Sequence, residues 1–193
     1  MTNTFYEQNA AEFFNATLHI DASPLHEQFL PLLPNGGSIL DAGCGSGRDA
    51  LAFKQQGYKV KAFDACAALS ALAQVLTGLP VQTCRFMAFE SNTQFDGIWA
   101  CASLLHLPIA ELANNISHLA KYLAPDGFFY CSFKYGTGEQ NRDGRHFINM
   151  TEEKFTRVLE TTPLYIHKRW ITHDLRVDRA GEQWLNAILC HKE

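Results

Sequence analysis

The stretch Ser38-Ile-Leu-Asp-Ala-Gly-Cys-Gly-Ser-Gly-Arg-Asp49 constrains this chain more than any other part of it. A mostly apolar run, Ile39 to Ala42, leads directly into three alternating glycines, Gly43, Gly45 and Gly47. Behind them Ala50, Phe53 and Gly57 fall at i, i+3 and i+7, a helical spacing. Strand, glycine turn and helix in that order make the first unit of a nucleotide-binding α/β fold. Without a Cβ, glycine lets a ligand approach the backbone. The helix aims its unpaired N–H groups and positive dipole end at the same place.

The glycine spacing narrows the ligand. A dinucleotide fingerprint needs G-x-G-x-x-G, but here Arg48 holds the third glycine's place, where helix and strand pack closely. The glycine comes one residue earlier, giving D-x-G-x-G-x-G from Asp41 to Gly47. This stretch resembles motif I of the class I S-adenosylmethionine-dependent methyltransferases. The resemblance implies that Asp41, Gly43, Cys44, Gly45, Gly47, Arg48 and Asp49 surround the amino-acid end of S-adenosylmethionine. On the glycines alone, a tight turn without a ligand stays open.

At 193 residues one domain is expected, large enough for a proper core, and 47% hydrophobic with 19% charged residues is an ordinary globular composition. A net charge of −4 argues against a large nucleic-acid footprint. No run of about 18 apolar residues suggests a membrane span, and the first twenty residues lack the pattern of a secretory signal. Cys44, Cys66, Cys84, Cys101, Cys131 and Cys190 stand singly, without C-x-x-C pairs. No metal site is expected from them, and the chain reads as cytoplasmic.

Thr4-Phe-Tyr-Glu7 has a capping-box pattern that opens a helix bearing Phe5, Phe13, Phe14 and Leu18. Ser23-Pro24 starts a second helix, closed by Pro31 and Pro34. The resemblance implies that residues 1–35 cover the cofactor as a lid over a core of 38–193. The core then alternates as parallel βαβ units. Strands are expected at 38–42, 58–63, 80–84, 95–100 and 128–133, with helices at 66–77 and after Pro108. Gly136 to Arg145 reads as the longest loop of the core, Thr151 as the cap of another helix, and 164–172 with 183–190 as a closing hairpin. The expected architecture is a Rossmann-like, doubly wound, seven-stranded sheet, mostly parallel with an antiparallel last strand.

Asp64 lies 21 residues after Gly43 at a strand end, the position of an acid that grips ribose hydroxyls, or alternatively of a helix N-cap. Ala65 follows it. Phe95-Asp-Gly-Ile-Trp-Ala100 resembles the family's fourth strand, with Ala100 and Cys101 beside the methyl group. The next residues, Ala-Cys-Ala-Ser103, lack the Asn/Asp-Pro-Pro-aromatic of enzymes that methylate bases. Phe86 and Met87 stand where the family contacts adenine, and Arg85 replaces the usual acid there. Tyr6 is expected near the sulfonium, where its ring gains cation–π attraction. His106 and Tyr135 are the catalytic candidates, and Lys134 and Arg145 the candidates for binding an anionic group of the acceptor. For His106 a packed histidine, and for Lys134 a solvated loop lysine, are the alternatives. Trp184 reads as core.

These readings point to an S-adenosylmethionine-dependent methyltransferase acting on a small acceptor, with nucleic acid and membrane excluded as partners. Over residues 38–133 the chain is similar to small single-domain bacterial enzymes grouped with the tellurite-resistance methyltransferases. A non-catalytic cofactor-binding subunit remains an alternative. A nicotinamide-dependent oxidoreductase is disfavoured by Arg48.

Overall fold

The computed structural model describes residues 2–176, Arg179 and 181–192. Among these, nine strands share one sheet. Five run parallel in the order β3 (Val81–Thr83), β2 (Lys59–Asp64), β1 (Ser38–Ala42), β4 (Phe95–Ala100) and β5 (Leu123–Tyr135). β9 (Gln183–His191) pairs antiparallel with β5, and β8 (Leu164–His173) pairs antiparallel with β9.

Alternation along the strands divides the core into two layers. Leu40, Ile98, Ala100, Phe129, Cys131, Phe133, Leu185 and Leu189 face one side. There they meet Leu112, Ile116 and Leu119 of α6 (Ile109–Ala120) and Phe155 of α7 (Glu152–Leu159). Ile39, Trp99, Tyr130 and Ile188 face the other side. They pack on Phe29 of α3 (Ser23–Phe29) and Phe53 of α4 (Arg48–Gln55). The α5 helix (Ala67–Thr77) lies beside α4, and α1 (Thr2–Gln8) and α2 (Ala10–Leu18) pack on its start through Tyr6, Phe13 and Phe14.

The seven expected strands are present, but the expected loop at 136–145 is a hairpin of β6 (Glu139–Arg142) and β7 (Arg145–Met150). β7 runs parallel to the end of β5, with Lys134 opposite Asn149. Lys134 also pairs with Trp184 of β9, so β7 takes the edge of β5 that β4 leaves free after Ala100. Strand β5 begins at Leu123 rather than at 128, and its register on β4 shifts between Phe95 and Gly97 to absorb the extra residues around Pro125.

The capping box at Thr4 is not formed, because α1 already starts at Thr2. Glu7 instead caps α5, its carboxylate accepting from the N–H groups of Ala67 (2.6 Å) and Ala68 (3.2 Å). The first helix is also two helices, broken at Asn9. Ser23 lies inside α3, whose N-cap is Ala22. Thr151 does cap α7, accepting from Lys154 N–H. The six cysteines carry free thiols. Among the described residues no helix is long and apolar enough to cross a membrane.

Candidate active site

The glycine turn sits at the carboxyl end of β1, and all three glycines have positive φ, +80° at Gly43, +55° at Gly45 and +79° at Gly47. A Cβ on Gly43 would lie 2.5 Å from the Ser103 Cβ, and one on Gly47 would lie 2.9 Å from the Ala73 Cβ of α5. The third glycine therefore serves the contact between α4 and α5. The ring of Phe13 lies over Gly45 at 3.3 Å from the equivalent position.

The turn forms part of a cavity of about 1220 Å³, its open mouth included. Asp41, Gly43, Cys44, Gly45, Arg48 and Asp49 line one end, and Tyr6 and Phe13 stand beside them. Cys101, His106, Lys134 and Arg145 line the rest, with Trp184 and Asn186. Of the expected residues, Gly47 and Ala100 lie behind this lining. Ala100 is fully buried in β4. Phe86 packs behind Gly43, and Met87 is exposed at the surface.

Asp64 does not line the cavity. Its Oδ2 accepts from Gly45 N–H and its Oδ1 from Cys66 N–H, both at 2.8 Å. The N-cap of α5 is Cys66, so Asp64 ties the glycine turn to the helix start rather than capping it. Burial pushes its carboxyl up, against these amide bonds.

Tyr135 lies off the cavity, for a simple reason of strand geometry. Lys134 faces the cavity, so its neighbour points to the opposite side of the strand, where Glu152 raises the Tyr135 phenol. Lys134 is neutralised by Glu182, and burial of Glu182 is outweighed by that bond, which holds its carboxyl low.

Asp49 is fully engaged inside the protein. Arg48 donates to both of its oxygens at 2.8 Å, His26 Nε2 lies at 3.1 Å, and Trp99 Nε1 donates at 2.9 Å. Burial opposes its ionisation, but Arg48 and the His26 bond win and hold the carboxyl well below its usual range. Asp41 differs. Its Oδ2 is buried without a partner, and burial together with the Asp49 charge pushes its carboxyl well up.

At the other end, His106 Nδ1 lies 2.7 Å from the His146 carbonyl and Nε2 lies 2.9 Å from the Tyr6 hydroxyl. A carbonyl only accepts, so Nδ1 carries the proton and Nε2 accepts from Tyr6. Burial pushes His106 down to about 4; the His146 bond opposes this, and Arg145 adds to it. The Arg145 guanidinium stacks 4.3 Å from the Phe5 ring, and its buried Nε has no partner.

Residues 14–170 match the methyltransferase domain family. The chain belongs to that family. It is a methyltransferase, as its glycine turn leads one to expect. No curated protein matches the sequence. Among solved structures, it is similar to the 1,6-didemethyltoxoflavin-N1-methyltransferase of Burkholderia thailandensis, solved with 1,6-didemethyltoxoflavin and S-adenosylhomocysteine. The TM-score is 0.79 at 21% identity, over 99% of this chain and 87% of that one. The N-methyltransferase NodS of Bradyrhizobium japonicum, with S-adenosylhomocysteine, gives 0.72 at 18% identity over 99% and 100%. CcbJ of Streptomyces caelestis gives 0.79 at 13% identity over 98% of each chain. At these identities the likeness establishes the α/β fold.

The sequence missed Phe13 on Gly45, the His26 and Trp99 bonds to Asp49, and Phe147 beside Arg145. Only Asp49 left a signal, as an acid in the first turn of a helix beside the motif.

Proposed function

We propose that this domain transfers a methyl group from S-adenosylmethionine to a small acceptor bearing an anionic group. The observation that carries the reading is the unpartnered, buried Asp41 Oδ2 at the end of the cavity formed by the glycine turn. A cation placed there satisfies the lone pair and restores the carboxylate, two gains from one contact. The amino-acid end of S-adenosylmethionine carries such a cation. Two of the similar structures were solved with its demethylated product.

When bound, S-adenosylmethionine supplies an electrophilic methyl group on a sulfonium. In this reading Asp41, Gly43, Cys44 and Gly45 hold its amino-acid end, and Arg48 with Asp49 braces the turn. Asp64 and Ala65 serve the ribose, since each Asp64 oxygen keeps a lone pair beyond its amide bond. Phe86 and Met87 flank the adenine, and Ala100 and Cys101 lie near the methyl group. Arg145 binds the acceptor's anion, with Lys134 in support once it parts from Glu182. His106, which burial keeps neutral, is the base that finally takes up the acceptor's proton. Of the expected lid 1–35, α1 and α2 act as the lid, while α3 packs on the sheet through Phe29 and belongs with the core of 38–193 in one methyltransferase domain. Tyr6 is held over the cavity by its own helix. The placement beside the tellurite-resistance group rests on the similarity over 38–133 and implies no tellurite substrate.

A non-catalytic subunit would not need an aligned histidine and an arginine at the acceptor end, which favours catalysis. The test is calorimetry with S-adenosylhomocysteine and NADH in parallel, followed by a screen of small acids with labelled methyl donor. Heat with the first only, then label in a small product, is expected. Binding of NADH alone, or label only in bulk RNA or protein, sinks the reading.

A further inference from the structure

The His106 imidazole presents no free basic atom to the cavity. Its Nδ1–H is bonded to the His146 carbonyl and its Nε2 already accepts the Tyr6 hydroxyl. An acceptor therefore meets Tyr6 before it meets His106. The geometry is fixed from both sides by one residue of β7. His146 takes the His106 bond on its carbonyl, while its N–H donates to Thr2 Oγ1 at 3.0 Å, anchoring the helix that bears Tyr6. The Tyr6 ring is further held edge-on by Phe5, Phe13 and His106.

We propose that Tyr6 takes the proton from the acceptor while handing its own hydroxyl proton to His106, a relay that rests on the methyltransferase reading above. As the nucleophilic atom bonds to the methyl carbon, the carbon–sulfur bond breaks and its electron pair stays on sulfur. The acceptor's O–H or N–H proton moves to the Tyr6 oxygen, the Tyr6 proton moves to His106 Nε2, and the imidazole ends as imidazolium. One positive charge is present before and after. Burial raises the Tyr6 phenol and outweighs the charge and hydrogen bond of Arg145 at the same hydroxyl, so the tyrosine passes a proton without resting as phenolate. The low affinity of buried His106 then returns the proton to water once the product leaves. The proposal makes Tyr6 a catalytic residue and His106 the group that acts through it.

The test uses the full chain and two matched probes, both carrying a carboxylate for Arg145. The phenol of 4-hydroxybenzoate must lose a proton, whereas 4-mercaptobenzoate is already a thiolate at pH 8. Tyr6→Phe and His106→Gln are each expected to lower labelled methyl transfer to the phenol at least tenfold more than transfer to the thiolate. Any loss of donor binding affects both probes and cancels. Equal losses on the two probes, or no transfer to either by wild-type protein, overturn the relay. In parallel, 15N-labelled imidazoles should show His106 as the neutral Nδ1–H tautomer at pH 7, with an Nε2 resonance that moves in Tyr6→Phe. An Nε2–H tautomer also overturns it. Failure of the underlying reading looks different, because wild-type protein then gives no heat with S-adenosylhomocysteine.

Discussion

The buried imidazole of His106 should make stability fall as the pH drops below the ordinary histidine range. Its folded value of about 4 lies below the ordinary histidine value of 6.5, so the unfolded chain binds the proton more tightly. Stability from this group is complete above pH 6.5 and is lost as pH falls toward 4. Each pH unit inside that window costs ~1.4 kcal/mol, so pH 5 removes about 2 kcal/mol and lowers Tm by ~4–8 °C in a domain of this size. The groups that face the ring are Tyr6 on α1, Lys134 on β5, and Arg145 and His146 on β7. Arg145 and Lys134 both disfavour the imidazolium. The assay is urea unfolding at pH 7.5 and pH 5 for wild type and His106→Gln. Glutamine keeps an amide toward His146 and an oxygen toward Tyr6 but cannot titrate. The wild type should lose about 2 kcal/mol more than the variant between the two pH values. Equal losses would refute the burial argument.

Gly47→Ala should lower stability by on the order of 1–3 kcal/mol, because its Cβ meets Ala73 in a left-handed backbone. Gly45→Ala should cost less stability and instead lose S-adenosylhomocysteine affinity, which melts with and without that ligand separate. Asp64→Ala should reduce both stability and affinity, since two backbone N–H groups lose their acceptor, each worth about 1–3 kcal/mol. An effect on affinity alone would contradict the observed bonds. Deleting residues 1–20 should weaken S-adenosylhomocysteine binding and turnover while circular dichroism still reports a folded sheet, and unchanged turnover would retire the lid.

The glycine turn was legible because it is local. Asp41 to Asp49 is one continuous stretch, and its glycines are needed for backbone reasons that spacing alone reveals. The parallel strands were legible for a similar reason, each being an apolar run between helical patterns. The β6–β7 hairpin was not, because all four residues of β6 are exposed and carry no alternation to read. The true use of Glu7 was equally hidden. Its partners at Ala67 and Ala68 lie some sixty residues away, whereas Thr4 stood at the spacing of a capping box. For Asp49 the chain offered a buried acid but not the histidine before it or the tryptophan after it.

The cavity's other end draws on Tyr6, on 101–106, on the end of β5, on β7 and on β9, segments far apart in the chain. What brings them together is the place where β4 stops. Strand β4 pairs with β5 only as far as Ala100 with Cys131, while β5 continues to Tyr135. At Ala102 the backbone turns left-handed, φ +51°, a strain of about 1–2 kcal/mol for a residue with a Cβ. The Ser132 hydroxyl accepts the Ala102 N–H at 2.9 Å and holds that turn in place. The chain leaves the sheet there and delivers His106 over the cavity, and the abandoned edge of β5 is taken by β7. β7 in turn brings Arg145 and the His146 backbone to the same histidine. Had β4 run four residues further, to the level of Tyr135, β7 would have no edge of β5 to pair with. The strained Ala102 just past the end of β4 therefore governs which side chains reach that end of the cavity.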